Sequence, residues 1–453
     1  MRIVIVGAGE VGYQIARRLA SEAKEVVVID KSEEALRRFG DLLDVQTVLG
    51  SGANPRVLDE AGLAAAEIML AVTDSDETNL IACLFAQALA PHLSKIVRVR
   101  NPDYLRYQEK TNRLLAVDRF INPEAETVKT ILRLIDLPGA VESSEFAGGR
   151  ILFLGLRLAK NCSLATVKLA DLRRNISDLR FIIGAIVRQN RLIIPSGGDR
   201  LEAGDLVYVV CDKSDSKAVI ELFGCPVAPL RSICVIGGGN VGAGLARELE
   251  ARHYQVKLIE RDPQRCRQLA GELDRTVVLH GDATDQGLLE EENVGHMDLV
   301  VALTRDDETN ILSCLLAKSL GVGRSLARVN KFNYLPVVQA VGVEHTVSTR
   351  LSAINSILQS IRRGKVLSAV SIKGEEAEAM EAVALEHSGV VGKPLRELKF
   401  PRGAIVLCVM RGEKVIIPTG DFVIEPQDRI IILATRNSIS RVERALMVTL
   451  EYF

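Results

Sequence analysis

Two short stretches carry the residues best suited to chemistry. Gly7-Ala8-Gly9-Glu10-Val11-Gly12 follows the apolar run "IVIV" and opens an amphipathic helical pattern. Gly237-Gly238-Gly239-Asn240-Val241-Gly242 does the same 230 residues later. A glycine turn of this spacing between a strand and a helix suits a diphosphate. The first glycine makes the tight turn, the second lets the backbone approach the phosphates, and the third lets helix and strand pack closely. The phosphates then rest on free N–H groups at the helix N-terminus, where the dipole favours negative charge. An acidic residue closes the following strand in each half: Asp30 in "EVVVID", Glu260 in "QVKLIE". Each stands 23 residues after its first glycine, the place from which a carboxylate accepts hydrogen bonds from ribose hydroxyls. A carboxylate there repels a 2′-phosphate, so NAD or an adenine nucleotide is favoured over NADP. The plainer reading is an acidic residue at a solvated strand end.

Other candidates follow from the same geometry. In a doubly wound sheet the ligand lies across the ends of the first and fourth strands. "TDSDETN" and "TRDDETN" follow the fourth strand of each half, so Thr73 and Thr304 can reach it. Asp76, Glu77, Asp307 and Glu308 can instead serve a helix N-terminus through its dipole. Arg98 and Arg328 end the fifth strands, where an arginine either binds phosphate or pairs with a neighbouring acid. After the third strand the halves differ: "VLHGDA" offers Asp282 as an acceptor for an adenine amino group, whereas "VLGSGA" has Gly52. The two sockets should therefore differ in affinity or in ligand.

These residues belong to a tandem repeat. Val11, Ile15 and Leu19 fall on Val241, Leu245 and Leu249, and that spacing gives each helix one apolar stripe to lay on a sheet. Apolar strands alternate with helical patterns, which calls for a parallel sheet with helices on both faces. A second, weaker repeat matches "RLIIPSGGDRLEAGDLVYVV" to "KVIIPTGDFVIEPQDRIIIL" and reads as a small α+β domain. The order is A-B-A′-B′, with boundaries expected at 1–123, 140–227, 230–349 and 368–453. The fold class is α/β: two Rossmann-like doubly wound parallel-sheet domains, each followed by a small α+β domain. The amphipathic helices "AETVKTILRLI" and "LSAINSILQSI" read either as linkers or as dimer-forming crossovers.

Composition narrows the function. The 453 residues carry a net charge of −1, too little to attract nucleic acid or an anionic membrane broadly. No apolar run is long enough to span a bilayer, and "MRIVIVGAG" runs into the first strand without signal-peptide architecture. The eight cysteines lack CxxC spacing and mostly sit in apolar patterns, which suggests buried free thiols in a reducing cytosol rather than a zinc site. Hydride transfer needs a proton donor or acceptor beside the nicotinamide. No Tyr-x3-Lys pattern is present, and the six histidines have no counterparts across the repeat. A transcription factor would need a helix-turn-helix and a basic face, and neither is visible.

The GAGEVG turn with Asp30, the TxxDETN loops, the RVR and RVN strand ends and the IIP-[ST]-G turns, in A-B-A′-B′ order, closely resemble the TrkA family. These are cytosolic regulatory subunits of bacterial Trk potassium uptake systems, and their repeating unit is the RCK module, the regulator of potassium conductance. The resemblance covers essentially the whole chain. It implies RCK N-terminal domains for the A units and RCK C-terminal domains for the B units. It further implies a homotetrameric ring, peripheral on the inner face of the cell membrane and docked on an integral potassium transporter subunit. The ring would bind NAD(H) and ATP or ADP, and ligand exchange would gate the pore. The contacts it carries over are Gly7 through Val11, Asp30, Thr73, Asp74 and Arg98, then Gly237 through Val241, Glu260, Thr304 and Arg328. Gly52 and Arg305, the latter standing where the first half has Asp74, depart from the pattern and leave open which socket takes which nucleotide. The alternative function is an NAD-dependent oxidoreductase.

Paired glycine turns without a catalytic acid or base predict that the chain binds NADH without consuming it. Absorbance at the NADH band should stay flat with alcohols and hydroxy acids present; substrate-dependent oxidation would contradict this.

Overall fold

The computed structural model describes the chain except residues 23, 177–178, 190, 226–228, 344, 362–365, 373–375, 399 and 447–453. The chain divides into two compact units, 1–129 with 232–361 and 130–231 with 362–453. Space therefore sorts what the sequence interleaves: the two Rossmann-like halves share one unit and the two smaller domains share the other.

In the first unit, β1 (Arg2–Val6), β2 (Glu25–Asp30), β3 (Gln46–Leu49), β4 (Ile68–Ala71), β5 (Ser94–Arg98) and β6 (Arg119–Ile121) form one sheet in the order β3-β2-β1-β4-β5-β6. Every neighbouring pair is parallel. This is the doubly wound order, with its crevice at the carboxyl ends of β1 and β4. Alternation along β1 sends Ile3 and Ile5 to one apolar layer and Val4 and Val6 to the other, so both faces must be covered.

The smaller domains follow the expected α+β class. β7 (Ala140–Phe146), β8 (Ile151–Arg157), β9 (Phe181–Arg188), β10 (Arg191–Ile193) and β11 (Leu206–Asp212) form an antiparallel sheet, β10-β9-β11-β8-β7.

The second Rossmann-like sheet repeats the first. It orders β12 (Ser232–Ile236), β13 (Gln255–Glu260), β14 (Val277–His280), β15 (Leu299–Ala302), β16 (Ser325–Arg328) and β17 (His345–Val347) as β14-β13-β12-β15-β16-β17. The last sheet is β18 (Val366–Ile372), β19 (Ala377–Val383), β20 (Ala404–Arg411), β21 (Lys414–Ile416) and β22 (Arg429–Thr435), ordered β18-β19-β22-β20-β21.

Within the second unit the two small sheets share an apolar layer. Phe153, Tyr208 and Val210 of the first join Leu407, Ile431 and Leu433 of the second. The acidic turns of the weaker repeat are explained by one buried ion pair each. Arg188 makes two hydrogen bonds to Asp205 at 2.9 and 2.7 Å. Arg411 does the same with Asp428 at 2.9 and 2.8 Å. Both aspartates are 2% exposed, so each depends on its bidentate partner. All eight cysteines are free thiols, Cys225 half-buried and the rest buried. Burial pushes the Cys234 thiol up to about 12, which makes it inert.

The two amphipathic helices are crossovers. The helix Thr349–Ile361, from the second half, buries Ile354, Ile357 and Ile361 in the core of the first half beside Ile15 and Leu19. Reciprocally, the helix Pro123–Asp136 brings Val128 to 3.5 Å from where a Cβ on Gly244 would stand, in the helix Asn240–Ala251. Neither half closes its own core, so the halves are interdependent.

Truncating a fully buried branched side chain costs about 2–5 kcal/mol. Ile357→Ala should therefore lower the urea midpoint of the first unit, while Leu351→Ala on the same helix, 36% exposed, should barely move it. Equal shifts would mean that the crossover helix is not docked.

Candidate functional site

Each socket begins with a turn that has no room for side chains where the backbone crosses itself. Gly7 has φ 118°, and a Cβ on it would lie 2.9 Å from the Thr73 nitrogen. A Cβ on Gly12 would lie 2.0 Å from the Gly7 carbonyl oxygen, so the helix can leave the turn only if residue 12 is glycine. Gly9 differs, since a Cβ there would meet nothing within 4 Å. Gly237, Gly242 and Gly239 repeat all three situations. Gly9 and Gly239 also begin their helices without a side-chain cap, whereas Ser32 and Asp262 cap the next helix of each half. Open space in front of uncapped N–H groups is what a phosphate requires. Val11 and Val241 contribute their amides to this end while their side chains are buried.

Asp30 and Glu260 stand beside the turns. Asp30 accepts from the Ala8 N–H at 2.6 Å and the Ser32 N–H at 2.9 Å. Glu260 accepts from Gly238 at 2.6 Å and Asp262 at 2.8 Å, its extra methylene spanning the same gap. A carboxylate has about four acceptor positions, so two bonds leave capacity for ribose hydroxyls. Neither is merely a solvated strand end.

The TxxDETN loops turn out to be a lock between β4 and β5, and between β15 and β16. Asn79 is fully buried, and its Oδ1 accepts from the Thr73 backbone N–H at 2.9 Å and the Thr73 hydroxyl at 2.7 Å. Its Nδ2 donates to the carbonyls of Thr73 and Arg98 at 3.1 and 2.9 Å. Asn310 makes the same four bonds with Thr304 and Arg328, at 2.8, 2.7, 3.1 and 2.9 Å. Asp76 and Asp307 do more than favour a helix dipole. Asp76 is buried and accepts from the Arg100 and Asn101 N–H groups at 2.9 and 2.8 Å, and Asp307 from Asn330 and Lys331 at 2.9 and 2.8 Å. Sequence reading passed over the asparagines, although "DETN" stands unchanged in both halves. Asp74 is exposed, as is Arg305 in its place.

Arg98 and Arg328 end β5 and β16 at the same crevices. Neither forms an ion pair among the described residues, and the Nε of each is buried without a hydrogen-bond partner. Arg98 is only 7% exposed. Burial lowers the proton affinity of the Arg328 guanidinium, an effect that nearby Asp307 and Glu124 offset in part. A guanidinium without an ion pair at the crevice end of the fifth strand suits a phosphate.

Asp282 is engaged locally. Its Oδ1 accepts from the Thr284 N–H at 2.9 Å and the Thr284 hydroxyl at 2.7 Å, and these bonds hold its carboxyl below the usual range. At Gly52 the first half has lost more than an acceptor: a Cβ would lie 2.0 Å from Val6 Cγ1, so the space itself is closed.

The two turns are engaged differently, the second by a residue of the other half and the first by its own. Asn240 donates to Glu124 of the first half at 2.9 Å. Glu10 accepts from Arg38 at 3.2 Å, and that guanidinium lies 4.0 Å above the Tyr13 ring. No alternation or spacing argument could have placed Glu124 there, because the contact depends on the exchange of crossover helices.

Sheet order, glycine turns and acidic strand ends define a tandem Rossmann-type protein of the dinucleotide-binding class. Comparison with known proteins narrows this. Residues 3–123 and 233–349 match the TrkA-N domain, and residues 153–224 and 379–447 the TrkA-C domain. The chain is similar to proteins named Trk system potassium uptake protein TrkA from Halomonas elongata (38% identity) and Azorhizobium caulinodans (36%), in each case over all of both chains. It is 37% identical to a TrkA homologue of Methanosarcina mazei, over 98% of this chain and 99% of the other. The chain belongs to the TrkA family. Its fold is shared with the GsuK RCK domain, at TM-score 0.59 and 20% identity over 98% of this chain and 94% of that one. It is shared equally with the GsuK channel bound to NAD, at TM-score 0.59 and 19% identity over 98% of this chain and 78% of that one. Among the described residues no helix is long and apolar enough to cross a membrane.

Removing a buried hydrogen-bonding group costs about 1–3 kcal/mol for each partner left unsatisfied. Asn79→Ala should therefore destabilise the first half and weaken its own socket, leaving the second socket's affinity unchanged, and Asn310→Ala should do the converse. Calorimetry at matched folded fraction checks this; equal weakening of both sockets by either change would contradict the lock.

Proposed function

We propose that this chain is the nucleotide-sensing regulatory subunit of a membrane potassium uptake system. It binds NAD(H) and ATP or ADP in its two glycine-turn sockets and changes the conductance of an integral, Trk-type potassium-translocating partner. It acts on the cytoplasmic face of the membrane as a homotetrameric ring and performs no catalysis of its own. The observation that carries this reading is the pair of uncapped glycine-turn helices, each braced by a carboxylate and each sharing its crevice with an arginine whose buried Nε has no hydrogen-bond partner. The full-length relatives named as potassium uptake proteins supply the physiological direction, and the NAD-bound GsuK channel is in keeping with the choice of ligand.

The contact residues of the first socket are Gly7, Ala8, Gly9, Glu10, Val11, Gly12, Asp30, Thr73, Asp74 and Arg98. Those of the second are Gly237 through Gly242, Glu260, Asp282, Thr304 and Arg328. The turn amides and the arginines take the phosphates, and the carboxylates take the ribose. Thr73 and Thr304 act through the loop backbone, because Asn79 and Asn310 already engage their hydroxyls. A ligand shifts an assembly only by binding its two states with different affinity. Docking of each crossover helix on the opposite half gives a bound nucleotide a route to do so.

Asp30→Ala and Glu260→Ala should each weaken one socket about ten- to a hundredfold, the worth of a hydrogen bond to a charged group. Asp30→Asn and Glu260→Gln, which keep one acceptor for the turn, separate ligand loss from disturbance of the turn. Titration of the parent should show two classes of site, with each variant altering one. Unchanged binding of every adenine nucleotide would refute the ribose assignment. Light scattering at micromolar concentration should give a tetramer, and a monomer with and without nucleotide would refute the ring.

A further inference from the structure

The crossover helices enter the sockets with opposite charge. Glu124 stands in the first turn of Pro123–Asp136, and the repeat places Arg350 at the matching position of Thr349–Ile361. Glu124 reaches the second socket, where its Oε2 accepts from Asn240 Nδ2 at 2.9 Å. Asn240 follows Gly239 and is the first residue of its helix, so this carboxylate lies at the phosphate end of the glycine turn. The matching residue in the first socket is Glu10, whose own charge is already engaged by Arg38 at 3.2 Å. Burial opposes ionisation of Glu10. The bonds from Gln14 and Arg38, with the charges of Arg38 and Arg350, nevertheless hold its carboxyl below the usual range. Arg350 is thus within electrostatic reach of the first turn. Arg328 is stabilised as a cation by Asp307 and Glu124 and opposed by Arg305 and Arg350, so Arg350 also weighs on the second socket.

We propose that Arg350 and Glu124 are specificity-determining residues, each acting on the opposite half, that sort the two sockets by phosphate charge. The first socket favours a nucleoside triphosphate over a diphosphate. The second penalises an added terminal phosphate and favours a dinucleotide or a diphosphate. The sorting rests on the sockets being nucleotide sites. A terminal phosphate brings extra negative charge to the turn. In the first socket it meets the added cation of Arg350, which acts on Glu10 at the start of the turn helix. In the second it meets the carboxylate of Glu124, which must also give up its bond to Asn240. Arg305 works against this in the second socket and remains in place in the variants below; it and Arg350 are both exposed, so solvent screens both alike.

The test uses the full chain and two photoreactive probes, azido-ATP and azido-ADP, with the labelled socket located by peptide mass spectrometry. In the parent, azido-ATP should prefer the first socket. Arg350→Gln should lower the ATP-to-ADP ratio at the first socket about three- to tenfold, the effect of one partly screened charge. Glu124→Gln, which keeps an acceptor for Asn240, should raise that ratio at the second socket by a similar factor. The exchange Glu124→Arg with Arg350→Glu should move the azido-ATP preference to the second socket. If both single variants leave both ratios unchanged, the charge sorting is wrong while the nucleotide reading stands. If the parent shows no saturable labelling at either turn, the nucleotide reading itself is wrong.

Discussion

The sockets depend on one contact between backbones, the approach of Gly12 to the carbonyl of Gly7, repeated at Gly242 and Gly237. With 2.0 and 1.9 Å between that oxygen and an added Cβ, no other residue fits at position 12 or 242 without moving the helix. The contact sets how the helix leaves the turn, with open space beside Gly9 and Gly239 at its start. Everything placed around that end follows from it. Asp30 and Glu260 brace the turn from β2 and β13, while Asn79 and Asn310 bring the arginine-bearing ends of β5 and β16 to its other side.

Burial joins the two halves as firmly as it closes each. The first half has an apolar surface on its glycine-turn helix that its own sequence never covers, and Ile354, Ile357 and Ile361 of the second half cover it. A pair of half-built domains that complete one another is better suited to sensing than to turnover.

Much of this was legible in the sequence, and the reasons differ by feature. Period and spacing revealed the strands, the glycine turns and the acidic strand ends, because each is a local constraint that leaves a local pattern. The repeat exposed the TxxDETN loops, but as sites rather than as what they chiefly are. Asn79 and Asp76 act on backbone groups 19 to 25 residues away, and side-chain-to-backbone bonds of that span leave no periodic trace. The arginines were ambiguous between phosphate and ion pair, and only a three-dimensional inventory of neighbours leaves them unpaired. The crossover helices were ambiguous for a similar reason. An amphipathic stripe says that something must be covered, but not by which half. Glu124 and Arg350 were invisible as site residues until the exchange of those helices was known.

The account stands or falls on whether nucleotide at the turns controls potassium movement. Potassium flux should be measured in vesicles holding a Trk-type partner and this chain, with ADP exchanged for ATP and the double variant Asp30→Asn, Glu260→Gln run in parallel. Flux that changes with the nucleotide in the parent and ceases to respond in the variant is the predicted result. Flux that responds identically in both, or in neither while nucleotide binding is demonstrated, would contradict the account.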